Sequence, residues 1–331
     1  MMPRYETGDG GAELRQEIAD MQIGVMLRSG RQRASGATDD PLRWRELREM
    51  ARLAEDVGID TLCVPDHLLF RTSGEVQLAD GETRGNWECF SILSALAAVT
   101  TRATLLTMVA CTSFRNPAML AKIADTVDEI SDGRLLLGIG AGWHEPEYAA
   151  FGYPFDRRVA RFEEALQILV PLLHGETVTF HGQFYDADDA ILVPRGPRPK
   201  GVPVWIGARR PRMLGLVAKY ADAYHTDSLG DVEGTQALEE LFRVLDEACR
   251  AVGRDPATLP RTSGSAIAVE GADEVVGGPP AIALRGSTDE IAEKLAGFAA
   301  LGIQHYTFWL YPLSLQGIER LAPIVEAAHK L

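Results

Sequence analysis

From Met21 onward, short β-branched apolar runs alternate with longer stretches whose apolar positions recur every three to four residues. The short runs are Ile23–Leu27, Thr61–Val64, Thr104–Val109, Leu135–Ile139, Val202–Ile206, Ala223–Thr226, Ala266–Val269 and Tyr306–Leu310. Between them lie the amphipathic stretches Arg43–Val57, Trp87–Val99, Pro117–Ile130, Val159–Leu173, Pro211–Tyr220, Thr235–Val252, Thr288–Leu301 and Leu315–Ala328. Pro117 just after Asn116 and the Asp132-Gly133 pair mark the start and stop of one of these helices. Strand candidates that are each followed by a helix candidate predict an α/β chain of the (β/α)8 TIM-barrel class. A doubly wound open sheet is the rival, but Leu27 runs into Arg28-Ser29-Gly30-Arg31 without the glycine-rich phosphate turn such sheets usually carry after the first strand.

Two connections are longer than a simple barrel needs. Phe70–Asn86 separates the second strand from its helix, and Leu173–Pro203 carries a possible small hairpin, Thr177–Phe180 with Gln183–Tyr185. At a barrel mouth such insertions either shape and cover a site or merely decorate it, and the sequence leaves both open. The expected organisation is an arm over 1–20, flexible or packed on the surface, then one barrel domain over 21–331 with an insertion near 173–203.

Composition narrows the function classes. Lys and Arg number 33 against 47 Asp and Glu, a net charge of −14, which disfavours nonspecific binding to nucleic acid or acidic membranes. No apolar run approaches the ~20 residues of a membrane span, and the polar start lacks the order of a signal peptide. Cys63, Cys89, Cys111 and Cys249 are widely spaced and match no metal pattern, as expected of reduced thiols in a cytoplasmic protein.

The C-terminal ends of barrel strands are where catalytic groups belong. The second strand breaks into Asp66-His67, where the imidazole would move a proton near neutral pH and the acid would orient it or bind a cofactor. A carboxylate closing a turn beside a surface histidine accounts for the same pair. The third strand leads through Ala110 and Cys111 to Arg115, small residues that would let a flat ring approach the backbone, or that simply fill a crowded barrel end. The fourth ends in Gly138-Ile139-Gly140-Ala141-Gly142-Trp143, with Gly140 and Gly142 permitting close approach and Trp143 serving as an aromatic wall or as rim packing. His144, Glu145 and Glu147 follow as polar groups without a metal-ligand pattern, so no metal is expected. After the fifth strand, Gly207-Ala208-Arg209-Arg210-Pro211-Arg212 concentrates positive charge at a helix start, a cradle for phosphate or an ordinary solvated helix end. Thr226, ahead of Asp227 and Ser228, adds a hydroxyl donor.

The ordered series Arg115-Asn116-Pro117, Asp128 to Arg134, Gly138 to Trp143, Phe151-Gly152, Arg161 to Ala165, Gly182 to Tyr185, Pro203 to Gly207 and Tyr220 to Ala223 resembles the bacterial-luciferase-like oxidoreductases, most nearly the F420-dependent members. The resemblance is strong over Gln22 to Ser228. It implies a barrel with a deazaflavin F420 or, alternatively, reduced FMN at its mouth, and a homodimer or higher homo-oligomer. Asp66 and His67 would match the acid–histidine pair of the F420-using members. Ala110-Cys111 would be the bulge where the family often has a non-proline cis peptide, and Gly207, Ala208, Arg209 and Arg210 the phosphate region. Trp143 stands where the sugar-phosphate dehydrogenase branch has a catalytic Glu, which argues against that substrate. The expected activity is hydride transfer between F420 and a small organic substrate. The alternatives are a reduced-FMN monooxygenase served by a separate flavin reductase, and a non-catalytic flavin-binding protein.

Overall fold

The computed structural model describes residues 21–29, 42–74, 76–78, 80–227, 232–274 and 283–331. The arm expected over 1–20 and Ser228 lie outside them. The strands are β1 (Gln22–Met26), β2 (Thr61–Val64), β3 (Thr104–Thr107), β4 (Leu135–Gly140), β5 (Val204–Gly207), β6 (Ala223–Asp227), β7 (Arg261–Ala268) and β8 (Ile303–Tyr311). All pair in parallel in the order β3-β2-β1-β8-β7-β6-β5-β4, and β3 pairs back onto β4 through Leu105–Leu135 and Leu106–Leu136, closing the barrel. Around it lie α1 (Trp44–Asp56), α2 (Cys89–Ala97), α3 (Pro117–Ile130), α4 (Arg158–Leu173), α5 (Pro211–Tyr220), α6 (Val232–Ala251), α7 (Thr288–Ala300) and α8 (Leu315–Ala328). Each strand is followed by its helix, as the alternating pattern predicts.

Side-chain alternation divides the apolar residues between two cores. Outward residues such as Ile23, Val25, Leu105, Leu137, Ile206, Tyr224, Ile267 and Phe308 pack beneath the helices in one large buried cluster. Inward residues Met26, Cys63, Leu106, Met108, Trp205 and Ala223 fill the barrel, with Leu136 and Trp309 against them. Deeper inside, His305 donates to or accepts from the Thr61 hydroxyl at 2.9 Å, and its ring meets Trp205 edge-on at 5.2 Å. Gly24 is required there, because a methyl group on it would come within 3.0 Å of both His305 and Thr307.

The Asp-Gly-Arg stretch after α3 secures the opposite, N-terminal face. Asn116 caps α3 by accepting from the amides of Ala118 and Met119, and Asp132 and Gly133 leave the helix with positive φ. The Arg134 guanidinium then donates to the carbonyls of Ala97, Thr100, Ala103 and Ser131, tying its own loop to the one between α2 and β3.

Three boundaries differ from the sequence expectation. β7 starts at Arg261 rather than Ala266, because its polar residues are paired within the fold: Thr262 Oγ1 donates to the Tyr224 carbonyl and Ser263 Oγ to that of Thr226. A short helix, Glu145–Phe151, follows β4. The hairpin in the 173–203 insertion pairs Val178–His181 with Asp186–Ala190, so Gln183–Tyr185 is its turn rather than its second strand. Glu164 of α4 fixes that turn by accepting from the amides of Gln183, Phe184 and Tyr185, which docks the insertion on the outer helix layer. No described helix is long and apolar enough to cross a membrane.

His305 gives the barrel an acid sensitivity. Burial, with His225 nearby, pulls its pKa from 6.5 down to about 3. An unfolded chain therefore takes up this proton as pH falls below 6.5 while the folded chain does not, so stability is whole above 6.5 and declines from there toward 3. In urea titrations, His305→Asn is expected to flatten the loss of unfolding free energy between about pH 6.5 and pH 4 relative to the unmodified protein. Parallel pH slopes for the two proteins would remove His305 from the acid response.

Candidate active site

At the C-terminal mouth, Asp66 and His67 leave β2 together but serve different partners. Asp66 is buried, and both of its oxygens are occupied. Oδ2 accepts from Arg115 Nη1 at 2.6 Å and from the Cys111 amide at 3.0 Å, while Oδ1 accepts from Arg115 Nη2 at 2.9 Å. Arg115 Nη2 also donates to Glu88 at 2.6 Å, and its guanidinium lies 4.7 Å above the Phe90 ring. Burial alone would lower the Arg115 pKa, yet the hydrogen bonds and charges of Asp66 and Glu88 hold it well above its ordinary value. Glu88 in turn caps α2 by accepting from the amides of Phe90 and Ser91. The expectation that Asp66 orients His67 is therefore corrected, and Arg115 faces carboxylates of its own chain rather than standing as a free cation.

The partner of His67 is Glu147, which the sequence reading named only as a polar group. Nδ1 of His67 lies 3.0 Å from Glu147 Oε1, and the second carboxylate oxygen accepts the Leu68 amide at 2.9 Å. Glu147 is 1% exposed, whereas the His67 side chain retains 21%. The short helix that was not expected thus carries the group that fixes the imidazole. Phe70 lies 4.3 Å and Trp143 5.3 Å from the His67 ring, and His144 packs beside both, forming an aromatic rim. Trp143 is 41% exposed, as a side wall open to a ligand would be.

Between β3 and Ala110-Cys111 the chain bulges. The non-proline cis peptide is Met108–Val109, two residues before the position the resemblance implied. Val109 is the apolar centre of this shelf: a methyl group on Gly140 would come within 3.0 Å of it, and one on Gly207 within 3.4 Å. Glycine at the end of β4 therefore makes room for Val109, while a methyl group on Gly207 would sit at ordinary contact distance from it. Ala110 and Cys111 pair with Ile139 and Gly140 and are buried beneath. Cys111 Sγ lies 2.9 Å from the Tyr148 hydroxyl, and burial pushes its pKa up to about 12, so it is an inert thiol. Gly142 has φ +73°, and any methyl group there would overlap the Tyr148 hydroxyl; its glycine is explained by packing rather than by ligand approach. The four cysteines are buried and unpaired.

The turn after β5 is held rigidly. The Tyr224 hydroxyl donates to the Ala208 carbonyl at 2.7 Å, and the Ala208 amide donates to the His225 carbonyl at 3.2 Å. Arg209 reaches across to the Thr226 hydroxyl, at 3.2 Å, and to the Asp227 carbonyl. Arg210 is exposed and is the N-cap of α5, whose first turn receives no side-chain cap. Arg212 pairs with Glu163 at 2.8 Å. Among the described residues no cluster of three or more His, Cys, Asp or Glu is arranged to hold a metal.

A closed barrel with this polar and aromatic mouth defines a small-molecule enzyme. The family model for luciferase-like monooxygenases matches residues 21–277, and the chain belongs to that family of oxidoreductases. An uncharacterised protein of Mycobacterium tuberculosis is 29% identical over 285 residues, 82% of this chain and 91% of its own. An F420-dependent glucose-6-phosphate dehydrogenase of Amycolatopsis mediterranei is 36% identical over 182 residues, covering 54% of this chain and 50% of that one. A pyrimidine monooxygenase of Allorhizobium ampelinum is 31% identical over 176 residues, 51% and 47% of the two chains. In fold, an F420-dependent secondary alcohol dehydrogenase in complex with an F420–acetone adduct superposes with a TM-score of 0.75 at 20% identity, covering 93% of this chain and 99% of that chain.

The Asp66–Arg115 contact should be costly to break, because losing the buried Asp66 carboxylate leaves the Arg115 guanidinium with Glu88 as its one remaining acid partner among the described residues. Asp66→Asn is expected to lower unfolding free energy by about 3–5 kcal/mol in urea titrations. A loss below about 1 kcal/mol would show that Asp66 is not a structural anchor.

Proposed function

We propose that this enzyme is an F420-dependent oxidoreductase acting on a small organic substrate, with His67 as its proton-transfer residue. The observation that carries the reading is the His67–Glu147 dyad, its imidazole partly exposed and flanked by Phe70 and Trp143. The identity with F420-dependent dehydrogenases supports it.

The mouth fits a large planar cofactor with an anionic tail. Gly140 leaves Val109 as an apolar shelf, and the uncapped start of α5 with Arg209 and Arg210 offers donors and positive charge. In this reading Val109, Ala110, Cys111 and Gly140 form the bed for the ring. Trp143 walls it, and Gly207, Ala208, Arg209, Arg210 and Thr226 hold the phosphate. Asp66 and Arg115 support the bed from below. F420 when bound supplies hydride transfer, and reduced FMN, in the alternative reading, supplies oxygen activation.

Glu147 takes the Nδ1 side of His67, so Nε2 is the atom that exchanges a proton with substrate. The buried Glu147 carboxylate fixes the ring orientation that presents Nε2 to the substrate. Phe70 and Trp143 exclude water around it. The monooxygenase alternative, supported by the pyrimidine monooxygenase relative, uses the same walls and requires a separate flavin reductase.

Equilibrium binding of F420 and FMN, oxidised and reduced, tests the cofactor. Tight F420 binding with turnover is expected, and aerobic turnover with reduced FMN but not reduced F420 would overturn the reading. Replacing Arg209 and Arg210 together by Ala is expected to weaken the cofactor about tenfold or more; unchanged affinity would remove them from the phosphate site. His67→Ala is expected to reduce kcat about 10²–10⁴-fold with little change in cofactor affinity. Glu147→Gln should shift the pH profile of kcat/KM, and an unmoved profile would deny that Glu147 acts through His67.

A further inference from the structure

The far side of the mouth from the phosphate edge, where β8 meets β1, carries a second set of groups that the cofactor reading leaves unused. On β1 the inward positions are Gly24 and Met26, alternating with outward Val25 and Leu27, and the same alternation directs Arg28 inward just past the strand end. On β8 the inward series His305, Thr307 and Trp309 ends at Tyr311. Arg28 and Tyr311 therefore meet above the barrel axis: the guanidinium lies 4.7 Å over the Tyr311 ring, with Nη1 3.2 Å from its hydroxyl and Nη2 3.4 Å from the Leu310 carbonyl.

The electrostatic setting of Arg28 differs from that of Arg115. Arg115 is matched by Asp66 and Glu88. Arg28 has no carboxylate partner among the described residues, and its buried Nε has no protein acceptor. Its charge is met only by a hydroxyl, a carbonyl and a ring face. A guanidinium has five N–H donors in a planar fork shaped for a carboxylate, and these neutral contacts leave that fork largely unused.

Beside it, the wall is apolar and built of small residues. Ala266 and Ala268 of β7 pack with Ala272 and Ala283 against Trp309 and Tyr311. Trp309, partly buried against these alanines, adds an aromatic face to the wall.

We infer that Arg28 is the anchor of the substrate, and that the substrate is an organic acid: its carboxylate docks on Arg28 beside Tyr311 and its apolar body lies against Trp309 and the alanine wall. The inference rests on the reading of the mouth as the redox site. β1 is next to β2 in the barrel, so an acid held by Arg28 lies beside the strand that carries His67. Binding energy gained at the carboxylate, remote from the reacting carbon, would then position that carbon.

The test uses the full chain, cofactor-free and loaded with F420 or FMN, titrated calorimetrically with butyrate and benzoate and with the neutral probes butyramide and benzamide. The acids are expected to bind at least tenfold more tightly than the amides. Arg28→Gln is expected to weaken the acids about tenfold or more while leaving the amides and both cofactors unchanged, and Arg28→Lys to recover part of the acid affinity. Absence of an acid-over-amide preference in the unmodified protein would overturn the inference, even if both variants failed to fold. Equal acid affinity in Arg28→Gln would also overturn it, as would a loss confined to cofactor affinity, which would assign Arg28 to the cofactor. If neither cofactor binds but the acids still bind through Arg28, the redox reading falls and the acid site stands.

Discussion

The Asp66–Arg115 pair holds the mouth together, because it joins three segments that no strand pairing joins there. Asp66 ends β2, the Cys111 amide it accepts belongs to the bulge after β3, and Arg115 introduces α3 and reaches Glu88 at the start of α2. Two charges taken from water are costly, and the cost is offset only when geometry is good and remaining donors are satisfied. Both conditions are met here by a bidentate contact, a further backbone amide and a second carboxylate. The bulge that presents Val109 is thus pinned from below by charge, while the glycine at 140 clears space for its side chain. Rigidity of this kind matters more at a ligand shelf than net stability does, because a bed that shifts by a fraction of an ångström loses its alignment.

The same logic separates the acids of the mouth by task. Asp66 and Glu147 are both buried and both accept a backbone amide, yet one is saturated by an arginine and the other by an imidazole. An arginine does not give up its proton, so Asp66 contributes a fixed structural charge. An imidazole can, so Glu147 is paired with a side chain able to pass a proton on. The proposed chemistry rests on the second pair and the architecture on the first, although Asp66 and His67 are neighbours in the chain.

Much of the fold was legible in the alternation of runs, because parallel strands buried on both faces are short and β-branched while each intervening helix shows a one-sided stripe. The polar start of β7 was hidden for the same reason: Thr262, Ser263 and Ser265 satisfy their hydroxyls on neighbouring strands, which no local pattern announces. The mouth was legible as a location and less so as a set of contacts. Glycines at 140 and 142 looked alike in sequence, yet one clears space for Val109 and the other yields to Tyr148. Adjacency suggested that Asp66 serves His67; the partner is Glu147, 80 residues along the chain, delivered by a helix too short and too polar to leave a periodic signal. The charge of the 209–212 stretch was visible, but not that Arg212 is spent on Glu163.

The two cofactor readings share this frame because little in it depends on the ring chemistry. An apolar shelf, an aromatic wall and a cationic edge suit any flat ring with a phosphate tail, and they leave the choice between hydride transfer and oxygen activation to the groups that face the reacting atom. In this mouth that group is His67, held on Nδ1 and open on the other side. A proton-transfer residue fixed by a buried carboxylate has an evident purpose when a substrate oxygen or nitrogen gains or loses a proton as a hydride moves, because charge would otherwise accumulate in a site from which water is excluded. Oxygen chemistry needs exclusion of water at least as much, but less obviously needs a dyad poised at the rim. The position of His67 and its contact with Glu147, rather than the shape of the cradle, are what the proposed deazaflavin reading rests on.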